Sequence, residues 1–91
     1  MIVFTAHARE KMLERGILES EVVQAVHQGS SVGVQERSGN REIRRWVFRS
    51  GYEREGRVYP HKEVTVVYVV EGDAVIVLTS IARYGKWETA T

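Results

Sequence analysis

The chain has 91 residues, no cysteine and a formal net charge of +1. That length is one domain, residues 1–91, with a thin core, and the lack of cysteine excludes a disulfide framework and a thiolate metal site. The opening "MIVFTAHAR" has no basic leader and no long apolar run, and "VTVVYVV" is only strand-length, so we expect no signal peptide, no membrane span and a cytoplasmic protein.

The small net charge hides an uneven distribution. Residues 36–57 hold seven arginines against four glutamates, and ten of the thirteen basic residues are Arg. A guanidinium matches phosphate bidentately where an ammonium does not.

In chain order, "IVFT" reads as a short first strand. Thr5 is a fitting N-cap for a helix over about residues 6–15, which stops at Arg15 because Gly16 supplies a left-handed residue and Ile17 a hydrophobic contact beyond it. A second helix, about 19–28, carries Val22, Val23 and Val26 on one face and ends at Gly29. The stretch "SSVGVQERSGN" reads as a loop. "REIRRWVFR", "KEVTVVYVVE" and "AVIVLTSIAR" are rich in β-branched and aromatic residues at strand length, the last two joined at Gly72 and Asp73 by a tight hairpin. The order is β-α-α-β-β-β, which predicts an α+β domain with an antiparallel sheet and two helices packed on one face.

Within the first helix, Ala8, Met12 and Leu13 fall on one arc at about 100° per residue, with Arg9 between Met12 and Leu13. His7, Lys11 and Arg15 recur at i, i+4 and i+8 beside it, and Glu10 and Glu14 take the outer face. Leu or Ala would cover the apolar arc equally well, so a stripe of cationic groups reads as one edge of a binding site. The alternative is local: Lys11 and Arg15 gain about 0.3–1 kcal/mol from the helix C-terminus, and His7 hydrogen-bonds within the first turn.

The run "HAREKMLERGI" resembles the opening signature of a widespread family of small prokaryotic domains of unknown function: His-Ala, two variable residues, a basic residue, Met, two variable residues, then Arg-Gly-Ile. His7, Ala8, Lys11, Met12, Arg15, Gly16 and Ile17 carry the match. "ESEVVQAV" and "VIVLTSIAR" are similar to the family's second-helix start and final strand. Lys11 stands where Arg is commoner, and Leu18 where a capping Ser is usual. The element order is similar to that of RelE-like and BrnT-like toxin ribonucleases, which cut RNA without a metal. The resemblance therefore implies, by analogy, a RelE-like toxin fold, a toxin-antitoxin setting and a site at the helix stripe.

In "REIRRWVFR" alternation puts Arg41, Arg45 and Arg49 with Ile43 and Val47, and Trp46 and Phe48 with Glu42 and Arg44; the aromatics are expected to face the helices. A two-residue hairpin would place Tyr68 on the face of Val75, Val77, Thr79, Ile81 and Arg83. Metal-independent RNA cleavage needs a base for the 2′-hydroxyl proton, an acid for the leaving oxygen and cations on the phosphate. His7 and His61 are candidates for acid or base, and Arg15, Arg45 and Arg83 for the charge. His61 follows Pro60 and reads equally as a turn residue; His27 reads as structural. Three dispersed histidines with no paired ligand spacing imply no metal. The lack of a phosphate loop, dinucleotide fingerprint or nucleophile elbow implies no nucleotide cofactor.

The sequence thus reads as a small toxin-like, metal-independent ribonuclease or RNA-binding domain. As an endoribonuclease it would place His7, Arg15 and Arg83 at the catalytic centre and Lys11, Arg41, Arg45 and Arg49 on the nucleic acid. The competing reading is a non-catalytic module for nucleic acid or an acidic protein partner. Expected partners are RNA, an antitoxin-like or other protein, or a second copy of the chain joined through the open edges of "KEVTVVYVVE"; no membrane is expected.

Overall fold

The computed structural model describes residues 1–35 and 41–87. In chain order the elements are β1 (Ile2–Phe4), α1 (Ala6–Arg15), α2 (Glu19–Gln28), β2 (Ser30–Gln35), β3 (Arg41–Phe48), β4 (Tyr52–Arg54), β5 (Arg57–Tyr59), β6 (His61–Glu71) and β7 (Ala74–Gly85). Five strands form one sheet in the order β1-β7-β6-β3-β2, and β4 and β5 form a separate hairpin. The domain is α+β, as the element pattern predicts.

Both helices have the predicted bounds, and local chemistry explains why. The Thr5 hydroxyl accepts from the Ala8 N–H at 3.0 Å, capping α1. Gly16 ends it at φ 68°, and the Ile17 N–H reaches back to the Met12 carbonyl at 2.9 Å. Leu18 has no side-chain acceptor to cap α2, so the Glu21 carboxylate does half the work by accepting from the Leu18 N–H at 2.9 Å.

Three expectations need correction. The sheet is mixed, because β1 pairs parallel to β7 while every other pair is antiparallel. Residues 30–35 of the expected loop form β2, an edge strand with an irregularity between Ser31 and Gly33; edge positions tolerate a polar, glycine-bearing sequence that a central strand does not. The remainder of that stretch, residues 36–40, lies outside the described residues. The β4–β5 hairpin was also not expected, since its strands have three residues each and its turn places Glu55, a poor left-handed residue, at φ 53°.

The hairpin between β6 and β7 has the two-residue turn expected, with Gly72 at φ 60° and Glu71 opposite Ala74. Farther along, the register jumps: Tyr68 faces Val77, but Val67 faces Thr79, which leaves Leu78 as a bulge. Tyr68 keeps the face of Val75 and Val77, as expected. Beyond the bulge the alternation inverts, so Ser80, Ala82 and Tyr84 continue that face, and Thr79, Ile81 and Arg83 move to the other.

The core lies between the helices and one sheet face. Ala8, Met12, Val22, Ala25, Val64, Val66, Tyr68 and Val77 are buried together, with Trp46 and Phe48 partly buried against them. The expectation that these two aromatics face the helices holds. The opposite face carries the odd-numbered residues of β3 and β6, and among the described residues no helix packs on it.

Candidate functional site

The α1 stripe does not form one surface. Successive i+4 steps rotate by about 40°, so across eight residues the direction drifts by roughly 80°. His7 ends on the exposed side, and its side chain makes no hydrogen bond or ion pair among the described residues. Lys11 pairs with Glu14 at 3.0 Å, which holds the Glu14 carboxyl below its ordinary range. Arg15 points under the helix instead, and its guanidinium donates to the Ser80 carbonyl at 2.6 Å. There it satisfies the sheet edge that β1 leaves open beyond Val77. The apolar arc is displaced accordingly: Ala8 and Met12 are buried, but Leu13 is 86% exposed.

The Arg-Gly-Ile turn is held by residues from three other elements. Arg54 of β4 donates to the Glu14 carbonyl at 2.8 Å, Tyr84 of β7 to the Arg15 carbonyl at 3.2 Å and Lys62 of β6 to the Gly16 carbonyl at 2.5 Å. These carbonyls are the negative end of α1, where cations and donors are favoured. A Cβ at Gly16 would lie 2.7 Å from the Arg54 guanidinium. Lys62 is buried and also reaches Glu21 at 2.6 Å, with the Tyr52 and Tyr84 rings about it at 5.4 and 5.5 Å. Burial, and then the nearby Glu21 charge, push the Tyr52 hydroxyl above its ordinary range. This is a lock that fixes helix to sheet, with its polar groups paired among themselves.

The other sheet face gathers a different set. Glu63 is 5% exposed, and its two carboxylate oxygens face Arg45 at 3.6 Å and Arg83 at 3.5 Å. Those separations are ion pairs rather than good hydrogen bonds, which lie near 2.7–2.9 Å for charged partners. No side-chain hydrogen bond among the described residues ends on Glu63. Two positions along β6, His61 accepts the Trp87 backbone N–H at Nδ1 (2.8 Å), and its Nε2 lies 3.2 Å from Arg49. The Trp87 ring stacks beside His61 at 6.2 Å, with the Arg83 guanidinium 5.8 Å over it.

The structure thus brings together Arg45, Arg49, Arg83 and His61, with Arg41 farther along the same face of β3. It separates Arg83 from His7, Lys11 and Arg15, because the Leu78 bulge turns Arg83 away from the helices; the expected edge combining those four residues does not exist. Glu63 and Trp87 were not singled out in the sequence. Strand alternation alone could have put Glu63 opposite Lys62, but its place between two arginines depends on three-strand register. Among the described residues no group of three or more His, Asp and Glu side chains is placed to share a metal ion, and no helix is long and apolar enough to cross a membrane.

Fold and site together define a class: a small α+β domain whose helices cover one face of a mixed sheet while the other presents arginines around a buried carboxylate. The chain belongs to the family described as a domain of unknown function, DUF4258, whose model matches residues 4–81. Arg45, His61 and Glu63 fall inside that match; Arg83 and Trp87 follow it. Neither the curated proteins nor the solved structures offer a match to the chain.

Proposed function

We propose that the domain is a metal-independent, toxin-like ribonuclease that binds single-stranded RNA on its open sheet face. The observation that carries this reading is Glu63, a buried carboxylate set between Arg45 and Arg83 with no side-chain hydrogen bond among the described residues. Its oxygens are left with unused lone pairs, and the two cations flanking it are of the kind that stabilise charge on a phosphate. In this reading Arg45 and Arg83 hold the scissile phosphodiester while Glu63 takes the proton of the adjacent 2′-hydroxyl. The 2′-oxygen attacks phosphorus, the bond to the 5′-oxygen breaks, and the proton returns through solvent to that leaving oxygen. The products are a 2′,3′-cyclic phosphate and a 5′-hydroxyl. The element order read from the sequence resembles that of RelE-like toxins, which is an analogy of fold and carries no function by itself. His7 and Arg15 have no part in it.

The test is incubation of the purified protein with mixed RNA, with and without EDTA, beside the Glu63→Gln variant. Cleavage is expected to survive EDTA, to spare 2′-deoxy positions and to fall by about 100-fold or more in the variant. The variant should still bind RNA. Binding by the native chain without cleavage would support the non-catalytic module instead, and no RNA binding at low salt would remove both RNA readings.

A further inference from the structure

The geometry points to a second phosphate site between Arg49 and His61, taking the phosphodiester that flanks the scissile one. It rests on reading the open face as an RNA surface, but a separate observation carries it. The Trp87 backbone N–H donates to His61 Nδ1 at 2.8 Å, so Nδ1 is an acceptor and the neutral ring carries its proton on Nε2. That Nε2–H then faces the Arg49 Nη1 group at 3.2 Å, which also donates weakly to the Trp87 carbonyl at 3.4 Å. Arginine has no acceptor atom, so the pair is donor against donor. An oxygen carrying negative charge and seated between them would accept from both.

The surroundings suit such an oxygen. Arg49 is exposed and His61 half-buried, so the pair is open to solvent. A second cation, Arg83, lies beside it over Trp87. The nearest acid on this face, Glu63, is engaged by Arg45 and Arg83. His61 and Glu63 are two residues apart on the same face of β6, about 6.7 Å along the strand, so one extended RNA strand can occupy both sites. The same tautomer gives His61 a specific role. Its exposed nitrogen donates and cannot take the 2′-hydroxyl proton, which leaves Glu63 as the base.

The experiment compares two uncleavable 2′-O-methyl oligonucleotides, a dinucleotide with one phosphodiester and a trinucleotide with two. The native protein should bind the trinucleotide about tenfold more tightly, the increment of one charge-assisted contact. Arg49→Gln and His61→Phe should lose that increment and keep dinucleotide affinity, whereas Arg45→Gln should weaken both ligands. Nitrogen-detected NMR of His61 should show the proton on Nε2, and the trinucleotide should shift that signal. A proton on Nδ1, or an increment that survives Arg49→Gln, overturns the second site while leaving the first reading intact. A shift produced by inorganic phosphate with no trinucleotide increment would make it a site for free phosphate and overturn the assignment to RNA. Failure of the native protein to bind either oligonucleotide overturns the RNA surface itself.

Discussion

Arg15 and His7 separate what a residue's type suggests from what its direction permits. Both belong to the family-like signature, and both were natural candidates for chemistry. Arg15 donates at 2.6 Å to a carbonyl on the edge of β7, whereas His7 stands exposed on the other side of the helix. Arg15→Gln should therefore cost about 1.5–3 kcal/mol in a urea melt, the range for a hydrogen bond to a charged group, and His7→Gln should stay within about 0.5 kcal/mol. RNA cleavage by either variant should track only the fraction folded; a loss of activity in fully folded His7→Gln would return the helix stripe to the site. The sequence makes the residue types legible but not this direction, because i, i+4 and i+8 look like a line in text and describe a slow spiral on a helix. Arg45 and Arg49 were legible, since strand alternation does not drift. Glu63 was not: it is one of twelve acidic residues in the chain, and only its neighbours on adjacent strands distinguish it.

At the scale of elements, helix ends were readable to the residue because Thr5, Gly16 and Gly29 mark them by local chemistry. The bulge at Leu78 was not readable, as nothing in "VIVLTSIAR" marks where one extra residue enters, yet it decides the face of Arg83. The lock between β6 and the α1–α2 turn was equally hidden, since Lys62 reads as an ordinary strand-opening charge. Its ammonium is 2.6 Å from Glu21 with both side chains buried. Removing one partner strands the other charge without water, so Lys62→Met alone should destabilise the fold by about 3–5 kcal/mol. The double variant Lys62→Met with Glu21→Leu should recover part of that loss, because no uncompensated charge remains. The Leu18 N–H and Gly16 carbonyl still lose their partners, so recovery should be incomplete. Equal stability of the single and double variants in denaturant melts would show that the pair is not electrostatically coupled.

Over the whole molecule, the two sheet faces divide the work: one is spent on the core and the lock, the other is left for solvent or a ligand. Net charge of +1 conceals this, since Arg41 and Arg45 of β3 share a face with Arg83 of β7 while Glu10, Glu14, Glu19 and Glu21 lie on the helices. Salt dependence of binding reads that local charge, because each phosphate contacted releases counterions and contributes about 0.7 to the slope of log affinity against log salt for a single strand. If Arg45 and Arg83 together hold the scissile phosphate, changing both to Gln should lower the slope by about 0.7. A control change of Arg9, which pairs with Glu19 at the far surface of α1, should leave it unchanged although it removes formal positive charge as well. The comparison separates a located contact from general attraction: a slope that falls equally in both variants would mean that net charge alone draws RNA to the domain, and the open face would lose its claim to be the binding surface.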